Sequence, residues 1–385
     1  MNLENMFSNR IRDLGPSPIR ELLKVARKPG IISLAGGNPA PTTFPHKELE
    51  RSFLSVMEKD WMKILQYSPT EGVDELLNQV CQISRDSGIE CKPEDILITT
   101  GSQQGMDLVC KAFLNPGDEV LVELPSYPGG IHTLNTYEAK LTGIPVDNNG
   151  MRVDVLEEVL EDRKKSGVMP KLIYIIPTFQ NPSGVTLPEE RRKEIVSLAE
   201  KYDVLVIEDD PYTSLRYEGE DIKPIKAFDK NEYVIYMSSF SKIFCPGVRV
   251  AWVIAKKEIL RKMTIGKQGA DLHTSSLNQA IIAEYCKNGH LKPHIEEILP
   301  FYRQKRDVML ESLEKYFSDK AKWTKPEGGF FIWLTLNDET LNARDLFTQA
   351  VDKGVVYVPG ESFCVDHSNK NSLRLSFATV KNDDI

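Results

Sequence analysis

The chain has 385 residues, 41% of them hydrophobic and 27% charged, which is more than one ordinary core requires and reads as a globular protein of two domains. A formal net charge of -8 excludes nucleic acid as a general partner, because phosphate backbones need a basic face, so any anionic ligand has to meet local positive charge. Six cysteines, at 81, 91, 110, 245, 286 and 364, form no C-x-x-C pair, so neither a zinc site nor a disulfide framework is expected and a reducing compartment fits. The opening MNLENMFSNRIRDLG has no apolar signal core, and no run reaches the roughly 18 apolar residues of a membrane span, so the expected location is the cytoplasm.

In chain order, short apolar runs recur that end in polar residues or in Gly and Pro: DILITTGSQQG (95–105), DEVLVELPSYPGG (118–130), KLIYIIPTFQNPSG (171–184), DVLVIEDDPY (203–212), EYVIYMSSFSK (232–242) and VRVAWVIA (248–255). Amphipathic segments such as PEERRKEIVSLAEKY (188–202) lie between them, the pattern of buried strands alternating with helices in a mainly parallel sheet. This predicts a three-layer α/β domain over 45–285. Beyond it, a long helical stretch CKNGHLKPHIEEILPFYRQKRDVMLESLEKYF gives way to GGFFIWLTL, the helix-like ARDLFTQAVDKG and the strands VVYVPG and SLRLSF. Residues 286–385 are therefore expected to form a smaller α+β domain, joined by part of an N-terminal arm, 1–44.

Ligands of open parallel sheets collect at the carboxyl ends of strands, and polar residues stand at those ends here: Gly101-Ser102-Gln103, Tyr127, Asn181, Asp209 with Tyr212, and Ser239-Ser241-Lys242. The chain contains no G-x-x-x-x-G-K-[ST], G-x-G-x-x-G after a strand, H-E-x-x-H or G-x-S-x-G, and its six histidines are dispersed, which removes the common nucleotide, zinc and serine-hydrolase readings. A lysine at a strand end beside another cation is a Schiff-base candidate, because desolvation and like charge free its amine, although one lysine taken alone reads far more often as an ordinary exposed loop residue.

The surroundings of Lys242 decide between these. Ser239, Ser241 and Arg249 offer two hydroxyls and a forked cation, and the loop Thr100-Gly-Ser-Gln-Gln-Gly105 offers backbone N–H groups at a helix N-terminus, so two half-sites can hold one phosphate. Asp209 at a strand end suits a protonated ring nitrogen, whereas Asp210 reads as a turn or cap residue. A phosphate, a lysine-reactive aldehyde and a basic ring nitrogen together describe pyridoxal phosphate. Asn181 in N-P-S-G and Tyr127 in P-S-Y-P also read, by themselves, as a turn residue and a core aromatic.

The chain resembles the fold type I aminotransferases of the aspartate aminotransferase superfamily (class I/II), and within them the 2-aminoadipate and kynurenine branch. The resemblance is carried by SPIRELLK (17–24), PGIISLAGGNPAPTTFP (29–45), LQYSPTEG (65–72), TTGSQQGMDLV (99–109), PSYPG (125–129), FQNPSG (179–184), EDDPY (208–212), SSFSKIFCPGVR (238–249) and LRLSFA (373–378), which span most of the chain in family order. It implies that Lys242 holds the cofactor as a Schiff base and later moves the proton from the substrate α-carbon. Asp209 would keep the pyridine nitrogen protonated, Asn181 and Tyr212 would bind the ring oxygen, and Tyr127 would stack on the ring. Gly101, Ser102, Gln103, Ser239, Ser241 and Arg249 would hold the phosphate.

Arg374, alternating with apolar residues in a strand, would clamp the substrate α-carboxylate, the alternative being a structural ion pair. Gly37 and Asn38 would line the substrate side of the pocket. Arg20, on an N-terminal helix, would meet the distal end of the substrate, or else make only a surface contact on its own helix. Tyr67 would reach the phosphate of a neighbouring subunit, which implies a homodimer. No metal is implied. Two departures are visible: Ala251 stands where the family often has Gly, with little expected effect on the phosphate contact, and the chain ends at Ile385, where relatives continue into a closing helix.

The activity implied is ping-pong transfer of an α-amino group from an L-amino acid (2-aminoadipate, aromatic or large aliphatic) to 2-oxoglutarate. A C–S or β-lyase would use the same residues, and a regulatory module of this branch would bind amino acids without turnover. Against the latter, the sequence shows no helix-turn-helix and no basic face.

Overall fold

The computed structural model describes residues 3–12, 14–15 and 29–385. Its elements run β1 (Ile32–Ser33), α1 (His46–Ile64), α2 (Asp74–Asp86), β2 (Ile96–Thr99), α3 (Ser102–Phe113), β3 (Glu119–Leu124), α4 (Pro128–Thr136), β4 (Lys140–Asp147), β5 (Gly150–Met151), α5 (Val153–Ser166), β6 (Leu172–Ile175), α6 (Glu189–Tyr202), β7 (Leu205–Asp209), β8 (Val234–Ser239), β9 (Ala251–Ile254) and α7 (Lys257–Gln268). The remainder comprises α8 (Ser276–Lys287), α9 (Leu291–Phe317), β10 (Ala321–Trp323), β11 (Phe331–Leu336), α10 (Ala343–Asp352), β12 (Val355–Val356), β13 (Val358–Pro359) and β14 (Ser372–Ser376).

Eight strands form the large sheet in the order β2-β9-β8-β7-β6-β3-β4-β5. The centre, β8-β7-β6-β3-β4, is parallel, while β9 runs antiparallel to both neighbours. Strands β3, β6, β7 and β8 are mainly apolar because both faces are covered, and the pleat sorts their side chains by parity. Leu121, Ile173, Val206 and Val234 pack under α5 and α6, whereas Val120, Val122, Leu172, Ile207 and Ile235 face the larger core. The smaller sheet is antiparallel, β10-β11-β14-β13, and β1 pairs in parallel with β12 beside it.

The six strands expected from the apolar runs are present, and the sheet is mixed but mainly parallel, an α/β architecture. Strand β4 carried no such signal: KLTGIPVD is interrupted by Gly143 and Pro145 and is only partly buried. The run VVYVPG is split, since Val355–Val356 pairs with β1 and Val358–Pro359 with β14. The long helical stretch breaks at Gly289, whose φ of +74° suits a residue without a Cβ. All six cysteines are free, yet the thiols of Cys81 and Cys91 lie 3.8 Å apart. Among the described residues no helix is long and apolar enough to cross a membrane.

One buried side chain holds the route out of β6 in place. Arg192 in α6 is fully buried and donates to the carbonyls of Leu187 (2.9 Å), Lys223 (3.1 Å) and Pro177 (3.1 Å) and to Thr178 Oγ1 (2.9 Å). Its rigid fork satisfies three carbonyls, those of Leu187 and Pro177 in buried contacts, and Pro177 and Thr178 lead directly to the loop bearing Asn181. Arg192→Met, which keeps the volume and removes every donor, is expected to lower the unfolding free energy by about 3 kcal/mol or more. Urea denaturation measures this, and Arg192→Lys should recover little of it because an ammonium cannot span the same acceptors.

Candidate active site

The strand ends of the large sheet open on one cavity of about 420 Å³. Into it project Tyr127 after β3, Asn181 after β6, Asp209 and Tyr212 at the end of β7, and Ser239, Ser241 and Lys242 at the end of β8. Ser102 and Gln103 enter from the first turn of α3, and Arg249 from the turn before β9. The other wall supplies Gly37 and Asn38 from the N-terminal segment and Arg374 from β14, so both sheets contribute. Two predicted residues of the described part do not line this cavity: Gly101 lies behind its wall as the cap of α3, and Tyr67 is 77% exposed on its own chain's surface, while Arg20 lies outside the described residues.

Lys242 follows β8 in a turn, and its Nζ donates to the Gly37 carbonyl at 2.9 Å. The rings of Tyr212 and Phe330 lie 5.8 and 6.0 Å from the ammonium. Burial first, then the positive fields of Arg374 and Arg249, push its pKa down to about 8, with Asp209 opposing. A lysine so placed is neutral at a pH where an exposed one is charged.

Asp209 has the reverse problem. Burial pushes its pKa up to about 6, against the hydrogen bond from Tyr174 Oη to Oδ2 at 2.9 Å. Its Oδ1 is buried and has no hydrogen-bond partner. A carboxylate oxygen left unsatisfied in a cavity is costly unless a ligand N–H completes it.

Arg374 is only 3% exposed and, among the described residues, pairs with no carboxylate. Its Nη1 donates to Asn181 Oδ1 (2.7 Å) and its Nη2 to the Ala35 carbonyl (2.6 Å), while Nε has no partner. The rings of Phe331 and Phe363 cover the guanidinium at 4.3 and 4.8 Å, and burial brings its pKa down to about 10. A structural ion pair does not account for this arginine; a carboxylate-bearing ligand would. Tyr212, 5.9 Å edge-on from Phe331, has its phenol pushed above the usual range by burial.

At the opposite end, Gly101 caps α3 with φ +82°, and a Cβ there would stand 2.1 Å from Arg249 Nη2. The glycine thus lets the guanidinium close against the helix N-terminus, whose first N–H groups have no partner within the helix. Ser239 Oγ donates to Ser241 Oγ at 2.8 Å and accepts from the Ser241 N–H at 3.0 Å, so the two hydroxyls are already oriented. Gln103 does not turn its amide into this cup; it donates to Thr133 and to the Gly129 carbonyl at 3.5 Å on α4. Gly129 in turn leaves room for the Tyr127 ring, which a Cβ would meet at 2.4 Å. Ala251 is fully buried in β9, opposite Ser239 and Thr99, without entering the cavity.

The donor set, with its orphaned carboxylate oxygen, pre-oriented hydroxyls and neutral-prone amine, fits a ligand carrying a phosphate, a ring N–H and an amine-reactive carbonyl. Sequence reasoning missed Tyr174 and Phe331, which also line the cavity. Tyr174 left one trace, a hydroxyl in the otherwise apolar run Leu172–Ile175. Phe331 left none, being one aromatic among several in GGFFIWLTL. Among the described residues no group of His, Cys, Asp and Glu is placed to hold a metal.

A family model for aminotransferase class I and II matches residues 30–385. The aromatic-amino-acid aminotransferase 1 of Thermococcus litoralis is 44% identical over 386 residues, covering 100% of this chain and 92% of that protein. The 2-aminoadipate transaminase of Thermus thermophilus is 40% identical over 373 residues, 96% of this chain and 91% of its own. The crystal structure of Pyrococcus horikoshii kynurenine aminotransferase, a complex with PMP, superposes with a TM-score of 0.96 at 45% identity over 99% of this chain and 94% of that one. Residues 30–385 carry the family match and the cavity described above, and the chain belongs to the class I and II aminotransferases, pyridoxal-phosphate-dependent enzymes of fold type I, near their aminoadipate and kynurenine branch.

Proposed function

We propose that this aminotransferase moves the α-amino group of an L-amino acid with an acidic, aromatic or large aliphatic side chain to 2-oxoglutarate by a ping-pong route. The observation that carries the proposal is the company of Lys242: a lysine with its pKa brought down to about 8, between an unsatisfied Asp209 oxygen and an Arg374 that lacks a carboxylate. When bound, pyridoxal phosphate supplies the carbonyl that takes up amines and the ring that accepts the electron pair released at the substrate α-carbon.

Every other task falls to the chain. Lys242 would present a neutral amine toward that carbonyl and would carry the proton removed from the substrate α-carbon. Asp209 would hold the ring N–H with its unsatisfied oxygen, while Tyr174 holds its other oxygen in position. Ser102, Ser239, Ser241 and Arg249 take the phosphate at the N-terminus of α3, with Gly101 and Gln103 shaping the turn. Asn181 and Tyr212 bind the ring oxygen, and Tyr127 covers the ring. Arg374 clamps the α-carboxylate, with Gly37 and Asn38 beside it. Arg20 is assigned to the substrate side chain. A homodimer in the cytoplasm is part of the reading: Tyr67 would serve the partner's phosphate, and Leu54, Trp61, Met62 and Leu65 near it are exposed apolar side chains that a second copy would cover. The organisation proposed is an arm at 1–44, a large cofactor domain at 45–285 and a small domain at 286–385.

The deciding experiment is a visible spectrum of protein plus pyridoxal phosphate, read before and after a panel of L-amino acids and again after 2-oxoglutarate. The band should bleach with particular amino acids, return with the oxo acid, and be absent in its lysine-bound form from Lys242→Ala. Release of ammonia and pyruvate in place of glutamate would replace the proposal with a lyase. The rate at which the cofactor-free protein captures the aldehyde should climb about tenfold per pH unit below about 8 and flatten above it, because the amine reacts only when neutral. A rise continuing past pH 10 would show an ordinary lysine. Arg374→Lys should leave the cofactor spectrum intact and lower kcat/KM by about 100-fold or more, since a point charge cannot replace a bidentate fork.

A further inference from the structure

Lys267, in the last turn of α7, is 0% exposed, although it lines no part of the cavity. Its Nζ donates to Asp271 Oδ1 (2.8 Å) and Oδ2 (3.0 Å), to Gln104 Oε1 (2.8 Å) and to Thr274 Oγ1 (3.1 Å). The same Gln104 Oε1 accepts the Thr100 backbone N–H at 2.8 Å, and Gln104 Nε2 donates to Asp271 Oδ2 at 2.7 Å. Thr100 Oγ1 donates to that carboxylate oxygen at 2.7 Å. The pair therefore grips Gln104 by both ends of its amide and Thr100 by its hydroxyl, while Gln104 in turn holds the Thr100 backbone N–H. Between these two residues lie Gly101, Ser102 and Gln103.

The anchor does not rest on the turn it holds. Thr274 O accepts Gln279 Nε2 from α8 at 2.8 Å, Ser276 Oγ donates to Ile64 O at 2.7 Å, and His273 Nδ1 lies 3.1 Å from Ser68 Oγ. Capping of α7 alone would need only Lys267 and Asp271, yet three hydrogen bonds join this pair to Thr100 and Gln104. Lys267 is buried while the Asp271 side chain keeps 30% exposure, so the ammonium depends on Asp271, Gln104 and Thr274 rather than on water for its partners.

We propose that Lys267 and Asp271 are positioning residues for the phosphate cup, holding the Thr100–Gln104 turn in its receiving shape before the cofactor arrives. The inference rests on the reading of that turn as the phosphate site. A pre-set anion site binds more tightly because the ligand does not have to order it.

The test compares pyridoxal phosphate with pyridoxal, which lacks the phosphate, by equilibrium dialysis against the full chain freed of cofactor. Lys267→Met should weaken pyridoxal phosphate about 10- to 100-fold, the usual scale for residues that orient a binding group, and change pyridoxal by less than about twofold. Gln104→Leu, a half-buried position that leaves the ion pair in place, should act in the same direction and decides the matter should the first variant not fold. Both variants keeping the wild-type preference for the phosphorylated form would overturn the inference and leave the site reading intact. Equal losses for both ligands would overturn it as well, since a general lesion acts on ring and phosphate alike. Wild-type protein without any preference for the phosphate would overturn the site reading itself.

Discussion

The fold has to keep three buried ionisable groups in one cavity without letting them neutralise one another. Lys242, Asp209 and Arg374 each bear the desolvation that burial imposes, several kcal/mol for an unrelieved ion, and each is left with unfinished polar business toward the cavity. Direct pairing of Asp209 with Lys242 would relieve both and would remove the amine's reactivity. The structure avoids this by giving each group a lesser partner: the Gly37 carbonyl for Lys242, Tyr174 for Asp209, and Asn181 with Ala35 for Arg374. Neutral partners hold orientation without cancelling charge, and they leave the remaining capacity for ligand atoms.

Parallel strands make that separation possible. Their carboxyl ends arrive side by side at the strand spacing, so residues after β6, β7 and β8 stand at fixed intervals on rigid supports. Arg374 comes instead from the antiparallel sheet, and its place depends on how that sheet meets the large one. The junction is close: a Cβ on Gly184 would stand 2.5 Å from the Phe331 carbonyl, and one on Gly328 would stand 2.3 Å from Phe179 and from the Leu215 carbonyl. Tyr217 N–H donates to Glu327 O at 2.7 Å, and Arg306 reaches Pro326 O at 2.9 Å. Backbone thus lies against backbone where a longer side chain would hold the sheets apart.

How much of this was legible follows from which forces write locally into sequence. Strands buried on both faces leave unbroken apolar runs, and polar residues at their ends stand out against them, which is why Asn181, Asp209 and Lys242, all of which line the cavity, are conspicuous in the sequence. Strand β4 was missed because Gly143 and Pro145 interrupt it and its side chains are only partly covered. Gln103 was expected in the phosphate site; its backbone lies there while its amide is turned to α4, a distinction that depends on Thr133, thirty positions away in the chain. The roles of Phe331 and Tyr174 likewise come from contacts across more than thirty residues, and no periodicity records these.

The same limit explains why charge was the better guide at some positions than at others. Arg374 announced itself because a guanidinium in an apolar strand needs an explanation, and the structure offers it aromatic faces and two carbonyl-type acceptors in place of a carboxylate. Lys267 sits in an amphipathic helix rich in lysine, where one more cation looks like a solvated face, and only its complete burial sets it apart. Arg192 is hidden in the same way within EERRKEIV, next to Arg191, which turns outward to Asp147 at 2.8 Å. In both helices two neighbouring or nearby cations share a composition and differ in direction. Direction is fixed by the packing of the helix on the sheet, so a buried cation inside a charged helix is what the sequence conceals, whereas a polar residue at the end of an apolar strand is what it displays.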